Sequence, residues 1–218
     1  GLRKEGIEKN RKHIITSMIE HKAILEPCDY LEREGFEVTR LTATRGGVFN
    51  IDALKNSLRP DTLLVSLMQV NNETGIRQPI EKVTEILKEH PAYFHTDAAQ
   101  GFGKDINTLR NPRIDLISIS GHKIYAPKGI GALITRRRGY ERLPLESIVF
   151  GGGQERGLRP GTLPVALIVG LGKSAEVGER DEEKRKIACK KIKAEALSAL
   201  KKLDPKIQVL PNANLTEL

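Results

Sequence analysis

The sequence predicts an α/β fold, a mostly parallel sheet flanked by helices, followed by the start of a smaller α+β domain. Three observations carry this expectation. Short apolar runs of strand length recur along the chain, and amphipathic helical stretches separate them. The run "TLLVSLMQV" (62–70) is apolar nearly throughout, as in a strand buried on both faces of a parallel sheet. Strands spaced by helices of this length imply right-handed βαβ crossovers.

The elements follow in order. The opening "GLRKEGIEKNRK" reads as the end of a helix entering the strand "HIITS" (13–17). The stretch "EHKAILEPCDYLEREG" sets Ile24, Cys28 and Leu31 at helical spacing and closes at Gly35. "FEVTRLTA" alternates like a strand, and "NIDALKNSLRP" makes a short helix from an Asn or Asp cap to Pro60. After 62–70, "PIEKVTEILKEH" is an amphipathic helix with Pro79 near its first turn. "AYFHTDAAQ", "IDLISISGHK" and "GIGALITRRR" read as three further strands. Residues 181–203 form a long charged helix with Ala188, Ile192, Ala199 and Leu203 on one stripe, and "KIQVLPN" reads as a new strand. A boundary near 178–180 divides residues 1–179, an N-terminally incomplete large domain, from 180–218, a linking helix and the truncated start of a small domain. Both chain ends suggest a segment of a longer protein.

Composition narrows the function. Of 218 residues, 39% are hydrophobic, enough for a substantial core, and no run approaches the ~20 apolar residues of a membrane span. With aromatics at only 4%, that core must be mainly aliphatic. The two cysteines, Cys28 and Cys189, lack metal-like spacing and fit a reducing compartment, the cytoplasm or an organelle. A net charge of +8 invites a nucleic-acid reading, but most cations are interleaved with acids as on one wet helix face. "RRR" at 136–138 reads as a strand end.

In open α/β sheets ligands bind beyond the carboxyl ends of the strands. There the sequence places Glu20-His21-Lys22, Asn71-Asn72-Glu73, then Thr96, Asp97 and Gln100, then Ser120, Gly121, His122 and Lys123. Each has a plain structural reading. His21 can be a helix start, Asn71 and Asn72 turn formers, Asp97, Ser120 and His122 caps, and a lone lysine is usually a solvated cation. Nothing in the fold requires all of them at one edge. A lysine at one strand end with an aspartate at the end of the preceding strand points to pyridoxal 5'-phosphate. The amine forms a Schiff base with the aldehyde, and the carboxylate keeps the pyridine nitrogen protonated so that the ring accepts electrons. Ser120 and His122 supply phosphate donors, and an imidazole such as His21 can stack on the ring.

The strings "TSMIEHKAIL", "VNNETG", "FHTDAAQGFGK", "SISGHKIYAPKGIGAL" and "GGGQERGLRPGTLP" together resemble the cysteine desulfurases of the class V aminotransferase group, in order and in register over 13–172. The resemblance implies the large domain of a fold-type I pyridoxal-phosphate enzyme, a homodimer. It would convert L-cysteine to L-alanine and pass persulfide sulfur to an acceptor protein in iron–sulfur assembly, tRNA thiolation or DNA phosphorothioation. By the same resemblance Lys123 would carry the Schiff base, Asp97 would pair with the ring nitrogen and Gln100 with the phenolic oxygen. His21 would stack and move protons, Ser120 and His122 would hold the phosphate, and Asn72 would sit near cofactor and substrate carboxylate. Thr162 would reach the phosphate held by the other subunit.

The sequence also departs from the family pattern. The family's phosphate loop should lie upstream of residue 1, and its nucleophilic cysteine loop and carboxylate-gripping arginine downstream of 218. Neither Cys28 nor Cys189 matches the nucleophile, so the segment alone is expected to be inactive. Gln69, Ala126 and Pro160 differ from common family residues, and "GLRPGTLP" resembles the phosphorothioation subgroup. Selenocysteine lyase shares the scaffold and is the competing enzyme reading. A non-catalytic scaffold that binds a sulfur acceptor is the competing reading of another class.

Overall fold

The computed structural model describes residues 1–207. Helix α1 (Arg3–Glu8) leads into strand β1 (His13–Ser17), and helix α2 (Lys22–Arg33) into strand β2 (Glu37–Leu41). Helix α3 (Ile51–Ser57) precedes β3 (Thr62–Ser66), and α4 (Ile80–Ile86) precedes β4 (Tyr93–Asp97). A single turn of helix, α5 (Ile106–Leu109), leads to β5 (Leu116–Ser120), a 3-10 turn (Gly121–Ile124) and β6 (Gly131–Thr135). Helices α6 (Val165–Arg180) and α7 (Glu182–Leu203) follow.

The six strands form one sheet in the order β2-β1-β3-β4-β5-β6. All pairings from β2 to β5 are parallel, and β6 runs antiparallel to β5. The short connection at 121–130 explains that reversal, because a parallel return needs a crossover of about a dozen residues or more. The strand order reverses at β1, which has β2 on one side and β3 on the other. The crevice between the carboxyl ends of β1 and β3 is therefore the switch point at which such sheets bind ligands.

Adjacent residues on a strand face opposite sides, so each central strand feeds two cores. Ile15, Val65, Phe94 and Ile117 join Ile80, Val83 and Leu87 on one face. Ile14, Tyr93 and Leu116 join Leu2, Cys28 and Phe36 on the other. Asn50 caps α3, its side chain accepting from the Ala53 amide at 3.0 Å. Gly35, just past α2, takes the left-handed φ of +84° that glycine tolerates best.

Helix α6 was not among the sequence-predicted elements. Its β-branched Val165, Ile168 and Val169 and its glycines are weak helix formers, which masks it in the sequence. Gly170 lets the helix close on the loop after the 3-10 turn, since a Cβ there would sit 2.9 Å from the Pro127 ring. The long charged helix appears as α7, separated from α6 at Asp181. None of its residues is buried, and its expected apolar stripe is exposed at Ile192 and Leu203. The expected strand at 206–212 lies, from residue 208 on, outside the described residues.

One buried carboxylate anchors the amino end of the central strands. Asp115, 3% exposed, accepts from the Phe94 amide at 2.7 Å, from Arg113 at 2.8 Å and from Arg138 at 2.8 Å. Arg138 also stacks on the Tyr93 ring, 4.6 Å from its centroid. Arg136 donates to the carbonyls of Leu109, Asn111 and Ile114. Two of the three arginines at 136–138 are thus engaged within the fold. Asp115→Ala strands two guanidiniums and is expected to lower the unfolding free energy by about 3 kcal/mol. Denaturant unfolding checks this, and a loss near zero would show that Asp115 does not anchor the sheet.

Candidate active site

The carboxyl edge of the sheet is polar because its strands end there. In the β4–β5 register Asp97 lies opposite Ser118, so the end of β4 stands beside the turn that leaves β5. That turn holds Ser120, His122 and Lys123 in sequence, with the Ser120 hydroxyl 3.0 Å from His122 Nδ1. Gly121 makes the turn possible, as a Cβ there would meet the Ile130 carbonyl oxygen at 2.8 Å. Lys123 is exposed and has neither an ion-pair nor a hydrogen-bond partner among the described residues. It lines a cavity of about 110 Å³ with Lys104, Ile124, Gly178, Arg185 and Cys189. Burial, and next the nearby Lys123 ammonium, push the Lys104 pKa down.

Asp97 is half-buried. Its Oδ1 accepts from the Ala99 amide at 2.9 Å, and Oδ2 has no hydrogen bond among the described residues. Gln100 follows in the same turn and accepts from Lys104 Nζ at 3.4 Å. His21 is exposed and caps α2, with Nδ1 accepting from the Ala23 amide at 3.1 Å. Asn71 and Asn72 divide their roles. Buried Asn71 closes the turn, donating to the Ile19 carbonyl at 2.9 Å and accepting from the amides of Glu73 and Thr74. Asn72 is exposed and free of hydrogen bonds among the described residues. Thr162 lies in an exposed loop before α6 and has no hydrogen bond to the other named residues. The β4–β5 pairing sets the two strand ends side by side, Asp97 and Gln100 on one and Ser120, His122 and Lys123 on the other, while His21 and Asn72 follow β1 and β3. The cavity that Lys123 lines includes none of these other residues.

Two buried groups escaped the sequence analysis as site residues. His95, 8% exposed, lies between Ser66 Oγ at 2.8 Å and Ser118 Oγ at 2.9 Å, bridging β3, β4 and β5. Burial drops its pKa to about 4, so the ring is neutral at pH 7. Its position two residues before Asp97, on the same face of β4, was the available signal. Glu20, 6% exposed, reaches across the switch-point crevice. Its Oε1 accepts from Ser17 Oγ at 2.6 Å and from the Met68 amide at 2.9 Å, tying β1 to the segment after β3. Its Oε2 is buried without a partner among the described residues. Burial first, and the Asp97 charge to a lesser degree, raise its pKa from 4.5 to about 7. Cys28, buried in the α2 interface, is pushed up to about 11 by burial, which leaves it a poor nucleophile.

The raised Glu20 pKa fixes the sign of a pH effect. The folded protein holds this proton more tightly than the unfolded chain, so Glu20 favours folding less as pH climbs from about 4.5 to about 7. The stability of the wild type relative to Glu20→Gln is expected to fall by about 2–3 kcal/mol between pH 5 and pH 8. Urea unfolding at both pH values measures it, and a constant difference would refute a neutral buried acid.

Comparison with known proteins places this geometry. The family model for class V aminotransferases matches residues 1–216. The chain is 49% identical over 195 residues to cysteine desulfurase IscS of Ehrlichia chaffeensis, covering 89% of this chain and 47% of that protein. It is 51% identical to the crystal structure of DndA from Streptomyces lividans, with a TM-score of 0.92, covering 98% of this chain and 60% of that one. A structure of SspA in complex with cysteine is 46% identical, with a TM-score of 0.72, over 81% of this chain and 50% of that one. The chain thus spans about half the length of the relatives it matches. Its sheet is the mostly parallel sheet of fold-type I pyridoxal-phosphate enzymes. With the family model matching residues 1–216, the chain belongs to the class V aminotransferase family.

Proposed function

We propose that this chain is the cofactor-binding portion of a pyridoxal-phosphate-dependent cysteine desulfurase. The observation that carries the reading is Lys123, an amine without an ion pair or hydrogen bond among the described residues, on the turn after β5, the strand that pairs with β4 where β4 ends in Asp97. The donor set fits a flat, phosphorylated aldehyde. Among the described residues Lys123 makes no ion pair and one Asp97 oxygen has no hydrogen bond, and the Ser120–His122 couple offers hydroxyl and imidazole to an anion. When bound, the cofactor supplies an electron sink for the bond broken in the substrate.

The protein's part is to hold and orient. Asp97 would retain a proton on the ring nitrogen, and Gln100 would bond the phenolic oxygen. Ser120 and His122 would take the phosphate. His21, fixed as the cap of α2, would cover the ring, and Asn72 would meet the substrate carboxylate. Lys123 would attach the cofactor and accept and return protons at Nζ. Cysteine as substrate draws support from the SspA complex, and sulfur transfer to an acceptor protein from the cysteine desulfurases that the chain resembles.

Dimerisation and domain division belong to the same proposal. Ile148, Phe150, Val165 and Val169 are exposed around the loop that carries Thr162, an apolar surface suited to a second subunit. The proposed division is into 1–179 and 180–218, which falls within the last turn of α6, next to the break at Asp181. Among the described residues no helix is long and apolar enough to cross a membrane.

The full-length protein reconstituted with pyridoxal phosphate is expected to be yellow. Borohydride reduction should fix the cofactor's mass on the peptide containing Lys123, and Lys123→Ala should abolish both signals. Asp97→Ala should bind the cofactor at least tenfold more weakly and release no alanine from cysteine. Retained colour in Lys123→Ala, or normal turnover in Asp97→Ala, would reject the assignment.

A further inference from the structure

Glu20 does more than a structural latch requires. Oε1 alone takes both hydrogen bonds, from Ser17 and from the Met68 amide, so an uncharged glutamine could hold β1 and the segment after β3 together equally well. What a glutamate adds is its second oxygen, and Oε2 is buried with no partner among the described residues. An ionised carboxylate in that position would leave most of its charge unsolvated, which is costly, so Oε2 carries a proton. The segment that Glu20 holds also meets the end of β4: Met68 donates to Glu20, and the next residue, Gln69, donates its amide to the Asp97 carbonyl at 2.9 Å. Glu20 itself lies one residue before the proposed ring-covering His21. Asp97 acts on it from β4, and the buried Cys28 thiol shares its surroundings from α2. The ends of β1 and β3 contribute the uncharged Ser17 hydroxyl and Met68 amide.

We propose that Glu20 is a proton-storing positioning residue whose ionisation is coupled to loading of the cofactor site. The inference rests on the cofactor reading above. While Asp97 is unpaired, its negative charge opposes ionisation of Glu20 across the crevice. Once Asp97 pairs with the protonated ring nitrogen of the cofactor, that opposition is largely cancelled. Glu20 then gives up part of its proton to solvent, and the Oε2–H bond is the bond that breaks. By linkage, cofactor binding and Glu20 ionisation favour each other. The latch geometry is unchanged, because Oε1 accepts the same two hydrogen bonds in either state.

The test is proton release on cofactor binding by the full-length protein. Calorimetric titration with pyridoxal phosphate, in buffers of different ionisation enthalpy, counts protons per cofactor bound from pH 6 to pH 8. Asp97 is the smallest of the influences on Glu20, so wild type is expected to release on the order of 0.1 proton more at pH 7 than Glu20→Gln. Ser17→Ala, which removes a hydrogen bond favouring the ionised form, should move that excess to higher pH. Equal proton counts in wild type and Glu20→Gln overturn the coupling and leave the cofactor site standing. If the Gln variant does not bind, an unshifted profile in Ser17→Ala overturns it instead. Failure of wild type to bind the cofactor overturns both readings.

Discussion

The pairing of β4 with β5 is the constraint on which the site depends. Its register sets Asp97 opposite Ser118, and a slip of one residue would turn Asp97 to the other face of the sheet. That register is pinned at the opposite end. Asp115 and Phe94 exchange hydrogen bonds, the Phe94 amide reaching the Asp115 carboxylate and the Asp115 amide the Phe94 carbonyl. Arg113 and Arg138 neutralise that carboxylate, so an ion cluster at the amino edge fixes geometry at the carboxyl edge. A chemical site at one end of a parallel sheet thus relies on a structural one at the other.

The electrostatics of the crevice separate by burial. Burial keeps His95, two residues before Asp97 on β4, neutral at pH 7, and raises the Glu20 pKa to about 7. The cavity that Lys123 lines is mainly cationic, with Lys104, Arg185 and Lys186 beside the one carboxylate of Glu182, and Asp97, Ser120 and His122 are not among its lining residues. Loss of solvent thus shifts His95 and Glu20, two groups of opposite type, toward their neutral forms.

Much of this was legible in the sequence because its causes are local. The apolar run at 62–70 became β3 with its buried continuation, and the polar residues after each run became the strand ends. Asn71 as a turn former and Asn50 as a cap were readable for the same reason. What was not legible depends on distant residues. Nothing near Glu20 in sequence announces that Met68 will occupy Oε1 while Oε2 is left bare. Helix α6 carries residues of weak helix propensity, and its close approach to Pro127 at Gly170 involves a residue far earlier in the chain. The stripe of α7 looked like a buried face, yet the described residues provide no surface to cover it.

The account stands on Asp97 and Lys123 serving one ring from two adjacent strand ends. A crystal structure of the full-length protein with pyridoxal phosphate tests this most directly. It should place an Asp97 carboxylate oxygen about 2.6–3.2 Å from the ring nitrogen, with Lys123 Nζ bonded to the carbon of the cofactor's aldehyde group. A cofactor seated away from the β4–β5 corner, or held by a different lysine, would contradict it.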